Sequence, residues 1–185
     1  MYNSCAARDD NSYWIRQAYE VQTHYWGDNM TFSYEESVKV TDALKERLQG
    51  IRDSVTDGLG ELCPLINRFD CEMEALRSES NKQTTAEFVS RIQSLSHSCN
   101  ENMVKFTAEI MEQATTICGA PPCQFSAVAI GSMARGETTP FNDLEFFFLV
   151  ENTDSMTYFR RLAVTVYFII GNLGETKLKY MNIEE

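Results

Sequence analysis

The chain has 185 residues, a net charge of −11, 43% apolar residues and 23% charged ones. Such a length and apolar share can build a real core, in one domain or in a domain with an appended module. The excess of acid excludes a general electrostatic pull on phosphodiester backbones, which binders of long nucleic acid draw from clustered Lys and Arg, and so argues against that partner.

The opening residues, MYNSCAARDDNSYW, lack the basic start and apolar core of a secretory signal, and the longest apolar run, Leu162 to Ile170, is far too short for a membrane span. A soluble protein, cytoplasmic or otherwise intracellular and without a membrane partner, is therefore expected. The six cysteines (Cys5, Cys63, Cys71, Cys99, Cys118, Cys123) are scattered, form no CxxC pair and stand beside only two histidines, His24 and His97. Neither a zinc site nor a disulfide framework is indicated, and the thiols read as reduced, mostly buried small hydrophobes.

In chain order, YWIRQAYEVQ after Asn11 and Ser12 places Trp14, Ala18 and Val21 on one face of a short helix ending towards Gly27. A second helix begins at Ser33, which has capping-box spacing to Glu36, and carries the stripe Val38, Thr41, Leu44, Leu48, Ile51 and Val55. Gly58, Gly60 and Pro64 predict a break, with a shorter helix over Asn67 to Arg77 and a polar stretch, SESNKQ, behind it. The longest helix is predicted from Thr84, with Glu87 as the partner in a second capping box, to about Ile117. Its apolar positions are Phe88, Ile92, Leu95, Cys99, Met103, Phe106, Ile110, Ala114 and Ile117, at steps of three and four, and read as core. His97 lies off that stripe and reads as solvated.

Gly119 and the pair Pro121 and Pro122 stop the helix, and the character of the chain changes. QFSAVAI and LEFFFLV are short, apolar and bounded by breakers, which predicts two buried strands joined by GSMARGETTPFND. The run from Ser155 to Ile170 mixes β-branched residues with helical length and is assigned to a helix. TKLKYMNI then opens a third strand. The fold class is α+β: a helical region over 1–120, then the first strands of a mixed sheet with flanking helices over 121–185.

Candidate chemistry falls on residues 127–150, AVAIGSMARGETTPFNDLEFFFLV. A strand ending in Gly131 and Ser132 offers backbone N–H groups and a small hydroxyl with little bulk, as close approach to a phosphate chain requires. Arg135 adds a positive charge beside that turn, Gly136 lets the chain reverse, and Pro140 stiffens its return. Asp143 and Glu145 are two apart, so on a strand they leave one face with α-carbons roughly 6–7 Å apart. Two carboxylates so placed can share one hard cation, Mg2+ or Mn2+, and the sparse set suits a nucleoside triphosphate carried as its metal complex.

The order GS, Arg, turn and D-x-E resembles the signature of the DNA polymerase beta-like nucleotidyltransferase superfamily. The fuller GSMARGETTPFNDLEF is most similar to the nucleotidyltransferases grouped with the N-terminal domain of protein-PII uridylyltransferase. The resemblance implies that Gly131 and Ser132 bind the triphosphate and that Asp143 and Glu145 are the catalytic metal ligands. It also implies a third carboxylate on a later strand; nothing ties Glu184 or Glu185 at the end of the chain to that role, so an N-terminal piece of a longer protein is expected, with the nucleotidyltransferase domain truncated.

The resulting expectation is a metal-dependent nucleotidyltransferase of the uridylyl- or adenylyltransferase type, moving a nucleoside monophosphate to a protein or small-molecule hydroxyl. The alternative is a non-catalytic regulatory or scaffold module that keeps the fold and binds a protein partner through the helical region. The absence of GxxxxGK[ST] and of a kinase motif set argues against other phosphoryl-transfer chemistry.

Overall fold

The computed structural model describes residues 33–72 and 79–173, with the backbone alone for 66–72 and 79–84. The helix expected from Tyr13, the strand expected in TKLKYMNI and the acids Glu184 and Glu185 lie outside the described residues. The elements are α1 (Tyr34–Glu72), α2 (Glu79–Cys118), β1 (Phe125–Ala129), a one-turn helix α3 (Gly131–Ala134), β2 (Phe146–Val150), a 3-10 turn (Thr153–Ser155) and α4 (Met156–Asn172). This is an α+β fold, with long helices preceding a two-stranded antiparallel sheet. No helix among the described residues is long and apolar enough to cross a membrane.

Helix α1 starts on the expected capping box. The N–H of Ser33 donates to Glu36 Oε2 at 2.7 Å, and the N–H of Glu36 donates to Ser33 Oγ at 3.2 Å. The hydrogen bond from the Ser33 backbone, helped by its side chain, holds the Glu36 carboxyl below its ordinary range. The predicted break at Gly58, Gly60 and Pro64 does not occur, and α1 continues without interruption for 39 residues. Pro64 removes the N–H that would bond the carbonyl of Gly60 and costs about 3 kcal/mol in a helix interior. Leu62 and Leu65 on either side are 2% and 8% exposed, and full burial of one leucine contributes about 1.5–3 kcal/mol, so packing outweighs the defect. Gly58 sits against Leu95 of α2, where an added Cβ would lie 2.6 Å from Leu95 Cδ1, so it marks a close helix approach rather than a turn.

Helix α2 begins at Glu79, not at Thr84, which corrects the second capping box. Glu87 is instead engaged by Arg91 one turn on, at 2.8 Å, and the stretch ahead of Thr84 holds Glu, Lys and Gln, all good helix formers. The stripe is buried as expected from Cys99 onward, with Met103, Phe106, Ile110 and Ala114 all at 2% exposure or less. His97 is solvated, its Nε2 lying 3.4 Å from the Glu101 carboxylate.

Two compact units divide the described residues. The first comprises 33–46, Thr107–Val128 and 146–173. Its core holds Ile110, Ala114, Leu162 and Val166, and Phe125 and Phe148 close on Phe159 of α4 with ring centroids 5.1 and 6.0 Å away. Here Gly119, at φ +83°, ends α2 as predicted. The terminal carbonyls find donors on α4: Arg161 Nη2 donates to the Cys118 carbonyl and the Tyr158 hydroxyl to that of Gly119, both at 2.6 Å. The helix predicted over 155–170 is present as α4.

The strands are not buried on both faces. Phe125, Phe146 and Phe148 turn to the packed side, whereas Phe147 and Leu149 are 47% and 61% exposed. Apolar residues occupy both faces of β2, so composition alone suggested a buried strand, but among the described residues only one face is covered.

The second unit comprises Arg47–Phe106 and Ala129–Glu145. Leu48, Ile51, Met103 and Phe106 are buried in its core, and Met133, Thr138 and Leu144 of the segment after β1 are buried as well.

Replacing Phe106, 1% exposed, by Ala is expected to lower unfolding free energy by about 3–5 kcal/mol. Urea denaturation measures this, and a loss below ~1 kcal/mol contradicts the assigned core. Thiol accessibility gives a second check. Cys63 is exposed, while burial raises the Cys99 and Cys118 thiols above their ordinary value, the Thr165 hydroxyl and Arg161 opposing that rise at Cys118. Mass-resolved alkylation of the native protein near pH 8 should therefore modify Cys63 well before Cys99 and Cys118, and equal rates would refute the burial.

Candidate active site

The antiparallel register sets the site. Beyond the last residue of β1, the N–H of Ile130 donates to the carbonyl of Glu145 at 2.9 Å, so the next residue, Gly131, lies against the end of the segment that carries the acids. Gly131 has φ +60°, a conformation that L side chains rarely adopt. A Cβ placed on it would overlap the Glu145 carboxylate and stand 2.8 Å from its Cδ. The Gly-Ser turn and one acid of the D-x-E pair are thus in direct contact, through space that only glycine leaves open.

From Gly131 the chain makes a single helical turn. The N–H of Ala134 reaches Ile130 O at 3.4 Å, that of Arg135 reaches Gly131 O at 3.3 Å and that of Gly136 reaches Met133 O at 3.2 Å. The N–H groups of Gly131, Ser132 and Met133 stand ahead of the first of these bonds, and Ser132 is half-buried beside them. Met133, 6% exposed, anchors the turn from below. Gly136, at φ +72°, reverses the chain, and the N–H of Glu137 closes the reversal on Ser132 O at 2.8 Å.

The return loop is pinned by its own hydrogen bonds and by the two long helices. Asn142 N–H donates to Thr139 O at 3.1 Å, Thr139 N–H donates to Asn142 Oδ1 at 3.0 Å, and the Thr139 hydroxyl donates to the same oxygen. Arg52 of α1 donates to the Pro140 carbonyl from Nε at 3.3 Å and from Nη2 at 3.2 Å, and its guanidinium carbon stands 5.2 Å from the Phe141 ring centroid. The Ser96 hydroxyl of α2 donates to Gly136 O at 3.3 Å.

Asp143 and Glu145 are exposed and Leu144 between them is 7% exposed, the alternation of an extended segment. They precede β2, which begins at Phe146, so the pair sits at the mouth of the strand and not within it as the sequence suggested. Among the described residues no group of three or more His, Cys, Asp or Glu could hold a metal ion. Two solvent-facing carboxylates do fit magnesium or manganese, which take one or two protein carboxylates and complete their shell with phosphate oxygens and water.

Arg135 is not a free charge. Its Nε lies 2.8 Å from Glu137 Oε2, with both side chains 61% exposed. Glu137, Arg52 and Ser96 were not singled out from the sequence. Glu137 stands two residues from Arg135 and was readable as its partner. Arg52 and Ser96 lie 88 and 40 residues from the groups they bind, so no local pattern announces them. An open cleft of about 440 Å³ between α1 and α2, bordered by Gly58, Leu62, Arg91 and Leu95, shares no residue with this site.

The sequence family described as putative nucleotidyltransferase DUF294 matches residues 78–177, a span that takes in α2, the Gly-Ser turn, the D-x-E pair and α4. Searches of curated proteins and of solved structures return no significant match. With more than half of its length matched and the Gly-Ser turn meeting the acidic pair inside that span, the chain belongs to the family of DUF294 nucleotidyltransferases.

Proposed function

We propose that this chain carries a metal-dependent nucleotidyltransferase site that moves a nucleoside monophosphate from a nucleoside triphosphate to a hydroxyl on a protein or small molecule, in the manner of uridylyl- or adenylyltransferases. The observation that carries the reading is the contact between Gly131 and the Glu145 carboxylate, which brings the Gly-Ser turn against one acid of the D-x-E pair. Asp143 and Glu145 would hold the cation, and Gly131 and Ser132 would receive the triphosphate. When bound, magnesium or manganese would neutralise charge on the phosphates and on the leaving pyrophosphate. The N–H groups of Gly131, Ser132 and Met133, with the Ser132 hydroxyl, would orient the chain of phosphates, and Arg135 would add a cation once it exchanges Glu137 for a phosphate oxygen. The net charge of −11 favours a protein or small-molecule acceptor over a polynucleotide.

Without metal, the two carboxylates repel a triphosphate, so ATP and UTP should bind weakly and gain affinity when magnesium is added. The double substitution Asp143→Asn with Glu145→Gln is expected to abolish that dependence and any nucleotidyl transfer, with thermal stability unchanged or slightly raised by relief of like-charge repulsion. Calorimetric titration of both proteins, with and without magnesium, tests this. Absence of binding by the wild type at millimolar nucleotide sinks the enzymatic reading and leaves a regulatory or scaffold module. A separate expectation concerns Glu137→Gln, which releases Arg135 from an exposed pair worth about 0–1 kcal/mol. Affinity for magnesium triphosphate should rise by about two- to fivefold, and an unchanged or lower affinity would show that Arg135 does not reach the phosphates.

A further inference from the structure

We propose that Arg52, in the part of α1 that precedes the family-matched span, is a positioning residue for the acidic pair, acting through the Pro140 carbonyl; the proposal rests on the nucleotidyltransferase reading above. The loop from Gly136 to Asn142 carries the chain from the phosphate turn to Asp143, so its placement decides where the carboxylates stand. Two guanidinium nitrogens of Arg52 converge on one carbonyl oxygen, at 3.3 and 3.2 Å, and the same cation lies over the Phe141 ring. Phe141 is 68% exposed although Pro140 before it is buried, so at Phe141 the guanidinium contact supplies the hold that packing supplies at Pro140.

Both sides of the tie are stiff. On α1, Leu48 and Ile51 are 4% and 2% exposed, which fixes the backbone from which Arg52 extends. On the loop, the paired hydrogen bonds between Thr139 and Asn142 make residues 139–142 move as one turn, so a displacement of the Pro140 carbonyl is passed to Asp143. Ser96 holds the other end of the loop at Gly136 O. Lysine cannot reproduce the arginine contact, because it lacks both the planar fork and the flat face that stacks on a ring.

The full chain and its Arg52→Ala, Arg52→Lys and Phe141→Leu variants separate positioning from mere stabilisation. Hydrogen exchange read by mass spectrometry should show the amides of 141–145 exchanging about tenfold faster in Arg52→Ala, with protection of the α2 core around Met103 and Phe106 retained. Calorimetry with magnesium ATP should show about a tenfold loss of affinity and a higher magnesium requirement, partly restored in Arg52→Lys and intermediate in Phe141→Leu. Wild-type exchange at 141–145 together with wild-type magnesium ATP affinity in Arg52→Ala overturns the proposal. So does loss of protection throughout α2 in all three variants, which would make the contact one of general stability. A wild type that binds no magnesium triphosphate defeats the nucleotidyltransferase reading instead, while faster exchange confined to 141–145 would still establish the mooring.

Discussion

The Glu145 carboxylate occupies the space beside Gly131 that a side chain would fill, and much of the local structure follows from that contact. Gly131 is singled out twice, by its φ of +60° and by the carboxylate against its α-carbon. The backbone cannot retreat to make room, because the Glu145 carbonyl already accepts the N–H of Ile130. Any larger residue at 131 would therefore have to displace the Glu145 side chain itself. The Gly-Ser turn and the acidic pair behave as one structural object, although thirteen residues of chain lie between Gly131 and Glu145.

That object is held from beneath by packing. Met133, Thr138 and Leu144 come from three different points along the segment, and each is at most 7% exposed. Leu144 lies between the two acids, so its burial turns both carboxylates to solvent in a way that strand propensity alone would not ensure. Hydrophobic anchoring selects the face, and the hydrogen bonds of the 139–142 turn set the spacing.

Signals carried by neighbouring residues were legible in the sequence. The Ser33 and Glu36 box, the α2 stripe, the stop at Gly119 and the α4 helix all arise from groups within one or two turns of each other. Misreadings came where a local pattern had a competitor outside it. Gly58 and Pro64 look like breakers, but Leu95 from α2 packs on the first, and the burial of Leu62 and Leu65 carries the helix past the second. Thr84 and Glu87 have cap spacing, yet Glu87 finds Arg91 and the helix starts earlier. At the site the same division holds: Gly131, Ser132, Asp143 and Glu145 stand out by type and spacing, whereas Arg52 and Ser96 act across long sequence separations through bonds to backbone carbonyls, which impose no residue pattern on the loop.

Electrostatics explains why such a site can exist in an acidic chain without a buried counter-charge. Two carboxylates about 4 Å apart in water repel by only ~1 kcal/mol, so solvent exposure makes a close acidic pair tolerable, and its geometry is set by backbone and packing rather than by attraction to a cation. The same repulsion grows when a ligand covers such a pair and lowers the local dielectric, which in the proposed reaction is the moment at which a divalent ion would be needed. The exposed Arg135 and Glu137 pair follows the same logic: held by little more than its own hydrogen bond, it keeps a guanidinium beside the turn that, in the proposed reaction, a stronger anion would take over. In the proposed reaction the charges that matter are therefore loosely held until the substrate arrives, while the loop that spaces them is tightly held throughout.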